Sequence, residues 1–127
     1  MLSEIRADFM DVLEPFAPKV YDYLPERPIP TCISVSPGVT FIERKEGYDD
    51  LYVTNWKVQP VVKVATNKVE TINLDAMLED LVPAIWSIEG VVAIQVQQPF
   101  IASLNGADFL STFIDVQIET NLQGGTN

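Results

Sequence analysis

The sequence predicts an α+β domain in which a mostly antiparallel sheet carries two amphipathic helices on one face. Two observations lead to this prediction. Apolar residues recur every three or four positions in two segments, and they alternate with polar residues in several others. The segments follow the order helix, strands, helix, strands. A chain of 127 residues has the length of one domain, which we place at residues 1–122, with a disordered C-terminal tail at 123–127.

The first helix is predicted at the N-terminus. Ser3 is a favoured capping residue, and Pro15 disfavours helical geometry at the residue before it, so the helix ends near residue 14. Five prolines between residues 15 and 31 then predict a stiff extended connection. The apolar positions of the helix share one face: Leu2, Ile5, Phe9, Val12, Leu13 and Phe16.

Two strands joined by a charged hairpin follow the connection. Alternation over residues 33–42 predicts the first strand, with a bend at Pro37. The second strand, residues 51–65, is expected at a sheet edge or bulged at Pro60, because proline lacks a backbone N–H. Between the strands, residues 43–50 carry charge of both signs, which predicts an exposed hairpin tip.

A second helix is predicted over residues 73–86, with Asn73 as its N-cap and Gly90 as the glycine that closes it. Pro83 predicts a kink or a fresh helical turn. Beyond this helix, residues 92–97 and 112–118 alternate and are expected to form an antiparallel pair. The apolar positions of the helix are expected in the core: Leu74, Met77, Leu78, Leu81, Val82, Ile85 and Trp86.

Charge and composition exclude several classes of function. Eight Lys and Arg against eighteen Asp and Glu give a net charge of −10, and no basic residue follows Lys68. Such a chain repels phosphates, so we expect no nucleic-acid binding by charge neutralisation. The sequence has no His, which excludes nucleophile systems with a His base and zinc sites with imidazole ligands. Cys32 is the one cysteine, so no disulfide forms within the chain.

No segment has the length or apolarity of a signal peptide or a membrane span. We therefore expect a protein assembled inside a cell, without membrane contact. The sequence also holds no phosphate-binding loop, nucleophile elbow or calcium-loop pattern. We predict no catalytic residue, no cofactor site, no metal site and no enzymatic activity. Carboxylate ligation of a hard cation by Asp49, Asp50 and a distant acid is the alternative left open.

The charged hairpin and its neighbouring aromatic residue are candidates for subunit contacts, since aromatic residues at loops and edges often anchor interfaces. A solvated loop is the simpler interpretation of the same residues. The candidate contacts are Glu43, Arg44, Lys45, Glu46, Tyr48, Asp49 and Trp56.

The order of elements resembles a known family. A short acidic chain opens with an amphipathic helix and a proline-rich connector that ends in Arg27-Pro28-Ile29-Pro30. The strand Cys32-Ile33-Ser34-Val35-Ser36, the long strand 51–65 and the helix that begins Leu74-Asp75-Ala76-Met77 follow in turn. Up to about residue 122, the chain resembles the tail terminator proteins of long-tailed bacteriophages, which are small α+β subunits.

The resemblance implies a structural virion protein of the phage tail, assembled in the host cytoplasm. Members of this family are not enzymes. They form a hexameric ring that caps the tail tube and presents a docking surface to the head connector. The implied partners are further copies of this chain, the tail tube protein and the head-connector protein, while DNA passes without specific binding.

A ring around DNA works best with walls that repel phosphates, so acidic residues are the candidates for the channel lining. These candidates are Asp49, Asp50, Glu70, Asp108 and Glu119.

Two alternatives to this function stay open. The first is another head–tail connector or a tail-tube-like subunit. The second is a non-viral monomeric or dimeric domain that binds a small molecule or peptide in the cleft between helices and sheet.

Overall fold

The computed structural model describes residues 2–23, 31–44, 51–63, 67–104 and 107–121. Two α-helices and seven strands make up this part of the chain. In order they are α1 (Leu2–Leu13), β1 (Lys19–Tyr21), β2 (Cys32–Arg44), β3 (Leu51–Lys63), α2 (Asn67–Trp86), β4 (Val91–Val96), β5 (Phe100–Leu104), β6 (Ala107–Ser111) and β7 (Ile114–Asn121). A short 3₁₀ turn at Glu14–Phe16 ends α1, as Pro15 predicts. No helix in the described part is long and apolar enough to cross a membrane.

All seven strands belong to one sheet with β3 at its centre. On one side β3 pairs with β2, and β1 adds to β2 as the parallel neighbour. On the other side the first half of β3 pairs with β7 and then β4, while its last residues pair with β6 and then β5. Every pairing except that of β1 with β2 is antiparallel, so the predicted α+β fold with a mostly antiparallel sheet is confirmed. The predicted pairing of residues 92–97 with 112–118 is confirmed as β4 with β7.

The two helices cover the same face of the sheet, as predicted, and we call it the covered face. Residues that oppose each other in an antiparallel ladder point to the same side, so the register places Val35, Val58 and Ile114 side by side under the helices. The core that joins both helices to this face contains thirteen buried apolar residues. These are Ile5, Phe9, Leu13, Ile33, Val35, Trp56, Val58, Leu81, Ile85, Ile88, Ile114, Val116 and Ile118.

Several boundaries differ from the sequence prediction. The proline-rich connection contains the short strand β1, and the segment between the two predicted strands 92–97 and 112–118 contains the β5–β6 hairpin. The Asn-Gly pair between β5 and β6 is a strong hairpin signal. Helix α2 begins at Asn67, itself a favoured capping residue, so Asn73 lies inside the helix. The helix also runs through Pro83.

Trp86 is the one predicted core position of α2 that the structure leaves well exposed, with 48% of its surface accessible. It occupies the last residue of the helix, past the sheet contacts made by Leu81 and Ile85. Glu79 and Asp80 lie on the opposite, exposed side of the helix.

Pro60 lies on the central strand, so the expectation of an edge strand is wrong. Pro60 pairs with Ile33 on one side, whereas on the other side the ladder passes from Val58 opposite Ile114 to Val61 opposite Ser111. No ladder pair joins Pro60 to β6 or β7, so a missing N–H is tolerated there. The carbonyl of Pro60 instead accepts a hydrogen bond from the Ser111 hydroxyl at 2.8 Å.

Gly90 ends the turn after α2 with φ of +92°, in the left-handed region that favours glycine. Its carbonyl accepts a hydrogen bond from the Glu119 N–H at 2.9 Å. A Cβ built at Gly90 would lie 2.6 Å from the Glu119 carbonyl oxygen. The glycine therefore fixes where β4 joins β7.

We predict that Gly90→Ala lowers the free energy of unfolding by about 2 kcal/mol or more, because it adds left-handed strain to a backbone clash. Urea unfolding followed by circular dichroism measures the change. The matched control is Glu89→Ala at the neighbouring exposed position, expected to stay within about 0.5 kcal/mol of the parent. Equal stability of Gly90→Ala and the control would contradict this account of the turn.

Candidate functional site

The face of the sheet opposite the helices is polar, and we call it the open face. Along β3, the residues between the buried Trp56, Val58 and Pro60 point to this side, and most of them are half-buried polar side chains. The register adds the polar partners that oppose them on neighbouring strands. The polar residues of the open face are Ser34, Ser36, Asn55, Lys57, Gln59, Gln95, Asp115, Gln117 and Glu119.

A small apolar cluster occupies one end of the open face. Cys32, Val61 and Phe109 are buried there, with Tyr21 packed against them. Burial raises the pKa of the Cys32 thiol, which keeps it protonated and unreactive near neutral pH. Ser34 is also buried, as expected for a structural role on a strand.

A groove of about 690 Å³ runs across the middle of the open face. The floor of the groove is formed by Asn55, Lys57, Asp115 and Gln117. Gln95 of β4 and Gln97, just after this strand, line one side. Residues 38–43 of β2 form the opposite wall. The lining therefore offers side-chain amides and the hydroxyl group of Thr40. The floor also carries one positive side chain, Lys57, and one negative side chain, Asp115.

The wall at β2 exists because this strand is bulged. Pro37 pairs with Trp56 and Ile42 pairs with Thr54, so four residues of β2 lie opposite the single residue Asn55. A bulge bends a strand and redirects its side chains. Here it leaves Val39 with 93% of its surface exposed.

Asn55 holds the bulge in place. Its side-chain amide donates to the carbonyl of Thr40 at 2.8 Å and to a carboxylate oxygen of Glu43 at 3.0 Å. Gly38 passes so close that a Cβ there would lie 3.1 Å from the Asn55 carbonyl oxygen. Asn55 thus joins the floor of the groove to its wall.

Lys57 and Asp115 face each other across the centre of the groove, as a register pair between β3 and β7. The Lys57 ammonium lies 4.9 Å from the centre of the Phe113 ring, a cation–π contact. Asp115 accepts a hydrogen bond from the side-chain amide of Gln97 at 2.6 Å. These contacts engage both charges of the floor within the chain.

The described residues hold no group of three or more acidic or Cys side chains placed to bind a metal ion. Asp49 and Asp50, left open as alternative metal ligands, lie outside the described residues.

The structure does not place the described candidates for subunit contacts on one surface. Glu43 and Arg44 are exposed at the end of β2, whereas Lys45, Glu46, Tyr48 and Asp49 lie outside the described residues. Trp56 is fully buried on the covered face, so its prediction as a subunit contact is wrong. The alternation that places Trp56 on one face of β3 also places it beneath α1, where it packs on Phe9.

The candidate channel acids do not form one cluster. Asp49 and Asp50 lie outside the described residues, and Glu70 belongs to α2 in a part whose side chains are not described. Glu119 is on the open face, opposite Val53. Asp108 is on the covered side, where its carboxylate accepts a hydrogen bond from Ser103.

The last two acids are also far apart along the sheet. Phe109, next to Asp108, pairs with Lys63, and this level lies ten residues along β3 from the Val53 level of Glu119. That separation is roughly 33 Å at the rise of a strand. Asp108 and Glu119, the two candidates whose side chains are described, therefore do not belong to one acidic patch.

Sequence reasoning missed the open-face groups Asn55, Asp115 and Gln117 as candidates. The signal was present in the alternation of residues 55, 57 and 59 with the apolar positions of β3. The alternation does not reveal the strand register, which sets Asp115 opposite Lys57 and Gln117 opposite Asn55.

No family model matches the chain, and no curated protein matches it. Two solved structures are similar in fold. A chain of the virion of a native gene transfer agent (GTA) particle is 11% identical, covering 88% of this chain and 84% of that chain with a TM-score of 0.48. A second solved protein, whose name states no function, is 16% identical, covering 94% of this chain and 96% of its own with a TM-score of 0.53. At these identities the likeness concerns the fold alone.

We predict that Asn55→Ala loosens the bulge, because it removes the donor to Thr40 and Glu43. Hydrogen–deuterium exchange read by mass spectrometry should show faster exchange in residues 38–43, with a loss of about 1 kcal/mol in unfolding free energy. The control is Gln117→Ala, an exposed amide on the same face. Unchanged exchange of the bulge in Asn55→Ala would show that Asn55 does not hold it.

Proposed function

We propose that this chain is a structural subunit of a phage virion, of the tail terminator type. In this proposal six copies form a ring that caps the tail tube and joins it to the head connector. The observation that carries the proposal is the one-sided burial of the sheet. Both helices and the main core occupy one face, whereas the middle of the opposite face is polar and grooved, with a small apolar cluster at one end.

Such a subunit has a natural orientation in a ring around a water-filled channel. The helices face outward and the open face lines the channel, so no apolar surface of the core is exposed to the passing DNA. The floor of the groove carries Lys57 and Asp115, which balance each other, beside the neutral amides of Asn55 and Gln117. A wall of this kind contacts water well and gives phosphates little to bind.

This orientation revises which residues line the channel. Asn55, Lys57, Asp115 and Gln117 replace most of the predicted acidic set, and Glu119 is the member of that set whose described position fits. The net charge of −10 still repels DNA at long range. Passage without specific binding then follows from both the neutral wall and the acidic chain.

The tail tube protein and the head-connector protein are the proposed partners at the two ends of the ring. The ligand-binding alternative finds less support, because core side chains fill the space between helices and sheet. Any ligand would have to use the groove of the open face instead.

We predict a purified protein of about 85 kDa in solution, which is six copies of the 14.2 kDa chain. Size-exclusion chromatography with light scattering measures the mass over a range of concentrations, and negative-stain images show whether the particle has a central opening. A 14.2 kDa monomer throughout, with no ring in the images, would overturn the proposed assembly.

We also predict that the assembled protein binds double-stranded DNA weakly or not at all at physiological salt, and that cations on the open face change this. Asp115→Lys combined with Gln117→Lys adds about twelve lysines to the channel wall of a hexamer. Affinity for linear DNA at 50 mM salt should then rise roughly tenfold or more, with a steeper salt dependence, because phosphate contacts release counterions.

The matched control is Asp75→Lys combined with Asn73→Lys on the exposed surface of α2, which makes the same change in net charge. Fluorescence anisotropy at several salt concentrations compares the two. If the control bound DNA as tightly as the open-face variant, the open face would not be the channel wall. Tight binding by the unmodified protein would contradict the proposal as well.

A further inference from the structure

The outer edge of the sheet is built from the longest uncharged segment of the chain. Residues 90–107 contain no Asp, Glu, Lys or Arg, although one residue in five of the whole chain is charged. Strands β4 and β5 take up most of this segment. In the described part of the chain, β4 pairs with β7 alone and β5 with β6 alone, so the other side of each strand is an edge.

Apolar side chains are exposed along this edge. Val92, Val96 and Ile101 have 45%, 42% and 57% of their surface accessible. Val92 lies at the irregularity between Val91 and Ala93, where it has no partner in the ladder to β7. Proteins usually protect an edge strand with charges or by covering it, and an unprotected apolar edge is a template for another strand. Pro99 interrupts this edge between β4 and β5, and each strand on its own is free of prolines and charges.

The opposite edge of the sheet, at β2, also carries exposed apolar side chains. Strand β1 covers only Cys32–Ser34 of β2, so the bulge and the end of β2 have an outer side with no strand on it in the described residues. Val39 projects from this bulge and Ile42 follows it, 93% and 39% exposed. Each edge of one subunit thus carries exposed apolar side chains, beside exposed polar ones such as Glu43 and Arg44 on β2 and Gln95 on β4.

Strand direction allows these edges to meet between copies. β2 is antiparallel to β3, β3 to β7 and β7 to β4, so β2 and β4 run in opposite directions. A second copy placed beside the first in the same orientation therefore brings its β2 antiparallel to β4. Repeating this step keeps every open face on the same side, as a ring around a channel requires.

Charge favours this head-to-tail pairing over two β4 edges meeting each other. All eight basic residues lie within residues 1–68, with ten acids, whereas residues 69–127 hold eight acids and no base. Two β4 edges in contact would bring two purely acidic halves together. Contact between β4 of one copy and β2 of the next sets the acidic half against the half that holds the basic residues.

We infer that the β4–β5 edge of one copy is an acceptor for the bulged outer edge of β2 in the next copy, with Val39 packing on Val92, because both residues lie at the level of Thr54 and Asn55 in the register of the sheet. A heterologous contact of this kind generates a closed ring when its rotation closes. The inference rests on the proposed function for the closure into six copies, and on the surfaces described above for the contact itself.

Cross-linking with a short bismaleimide tests the contact directly. Val39→Cys and Val92→Cys in the same chain should give a ladder of covalent oligomers that stops at six. The native Cys32 is buried and its pKa is raised, so it stays unlabelled in the folded protein. Each single-cysteine variant is the control and should remain monomeric on a denaturing gel, because a head-to-tail contact never brings two identical positions together.

Each other outcome overturns a defined part of the account. A dimer from Val92→Cys alone would mean that two β4 edges meet, which contradicts head-to-tail pairing. A six-subunit ring in images without any ladder would reject this contact while leaving the ring. A ladder that extends past six would support the contact and reject the closed hexamer, and the absence of both ladder and ring would overturn both.

A second set of variants checks the acceptor edge without cysteines. Val92→Lys combined with Ile101→Lys should reduce the assembly to a 14.2 kDa monomer, while the melting temperature stays within about 3 °C because both positions are exposed. The control Ala76→Lys, on the exposed surface of α2, should assemble normally. Normal assembly of the edge variant would contradict the inference.

Discussion

The burial of Trp56 is the interaction on which the rest of this structure depends. Its ring lies 5.6 Å from Phe9 of α1 and 4.9 Å from Phe41 in the β2 bulge, and the Arg6 guanidinium stacks 5.0 Å away. Its indole N–H donates to the Thr54 hydroxyl at 2.8 Å, which in turn donates to the Ile118 carbonyl at 3.1 Å. One side chain on the central strand thereby joins the first helix, the bulge and β7, with its polar atom satisfied as burial demands.

Because Trp56 and its neighbours place the main core on one face, the only apolar layer described on the other face is the small cluster of Cys32, Val61 and Phe109 at one end. Elsewhere that face keeps the polar side chains of β3 and β7 in contact with solvent, and the bulge anchored by Asn55 turns it into a groove. In the proposed ring, the uncharged outer edge at β4 and β5 sets the direction in which subunits associate. A sheet with one buried face, one solvent-exposed polar face and one uncharged edge suits such a ring wall.

The local elements followed from sequence patterns, whereas the placement of side chains depended on register. Helix α1, the β4–β7 pair and the Gly90 turn each arise from short-range periodicity or from one backbone conformation. The sequence predicts Trp56 at an interface because it lies beside a charged hairpin. That local pattern does not reveal that α1 packs over Trp56. Asp108 and Glu119 were grouped by charge, although long-range pairing sets them on opposite faces.

A cryo-electron microscopy reconstruction of the assembled particle, at a resolution that separates helices from strands, tests the central claim most directly. The account predicts a six-fold ring with α1 and α2 on the outside and the open face, marked by Asn55 and Gln117, around the central opening. A ring with the helices lining the opening, or a particle with no opening, would contradict it.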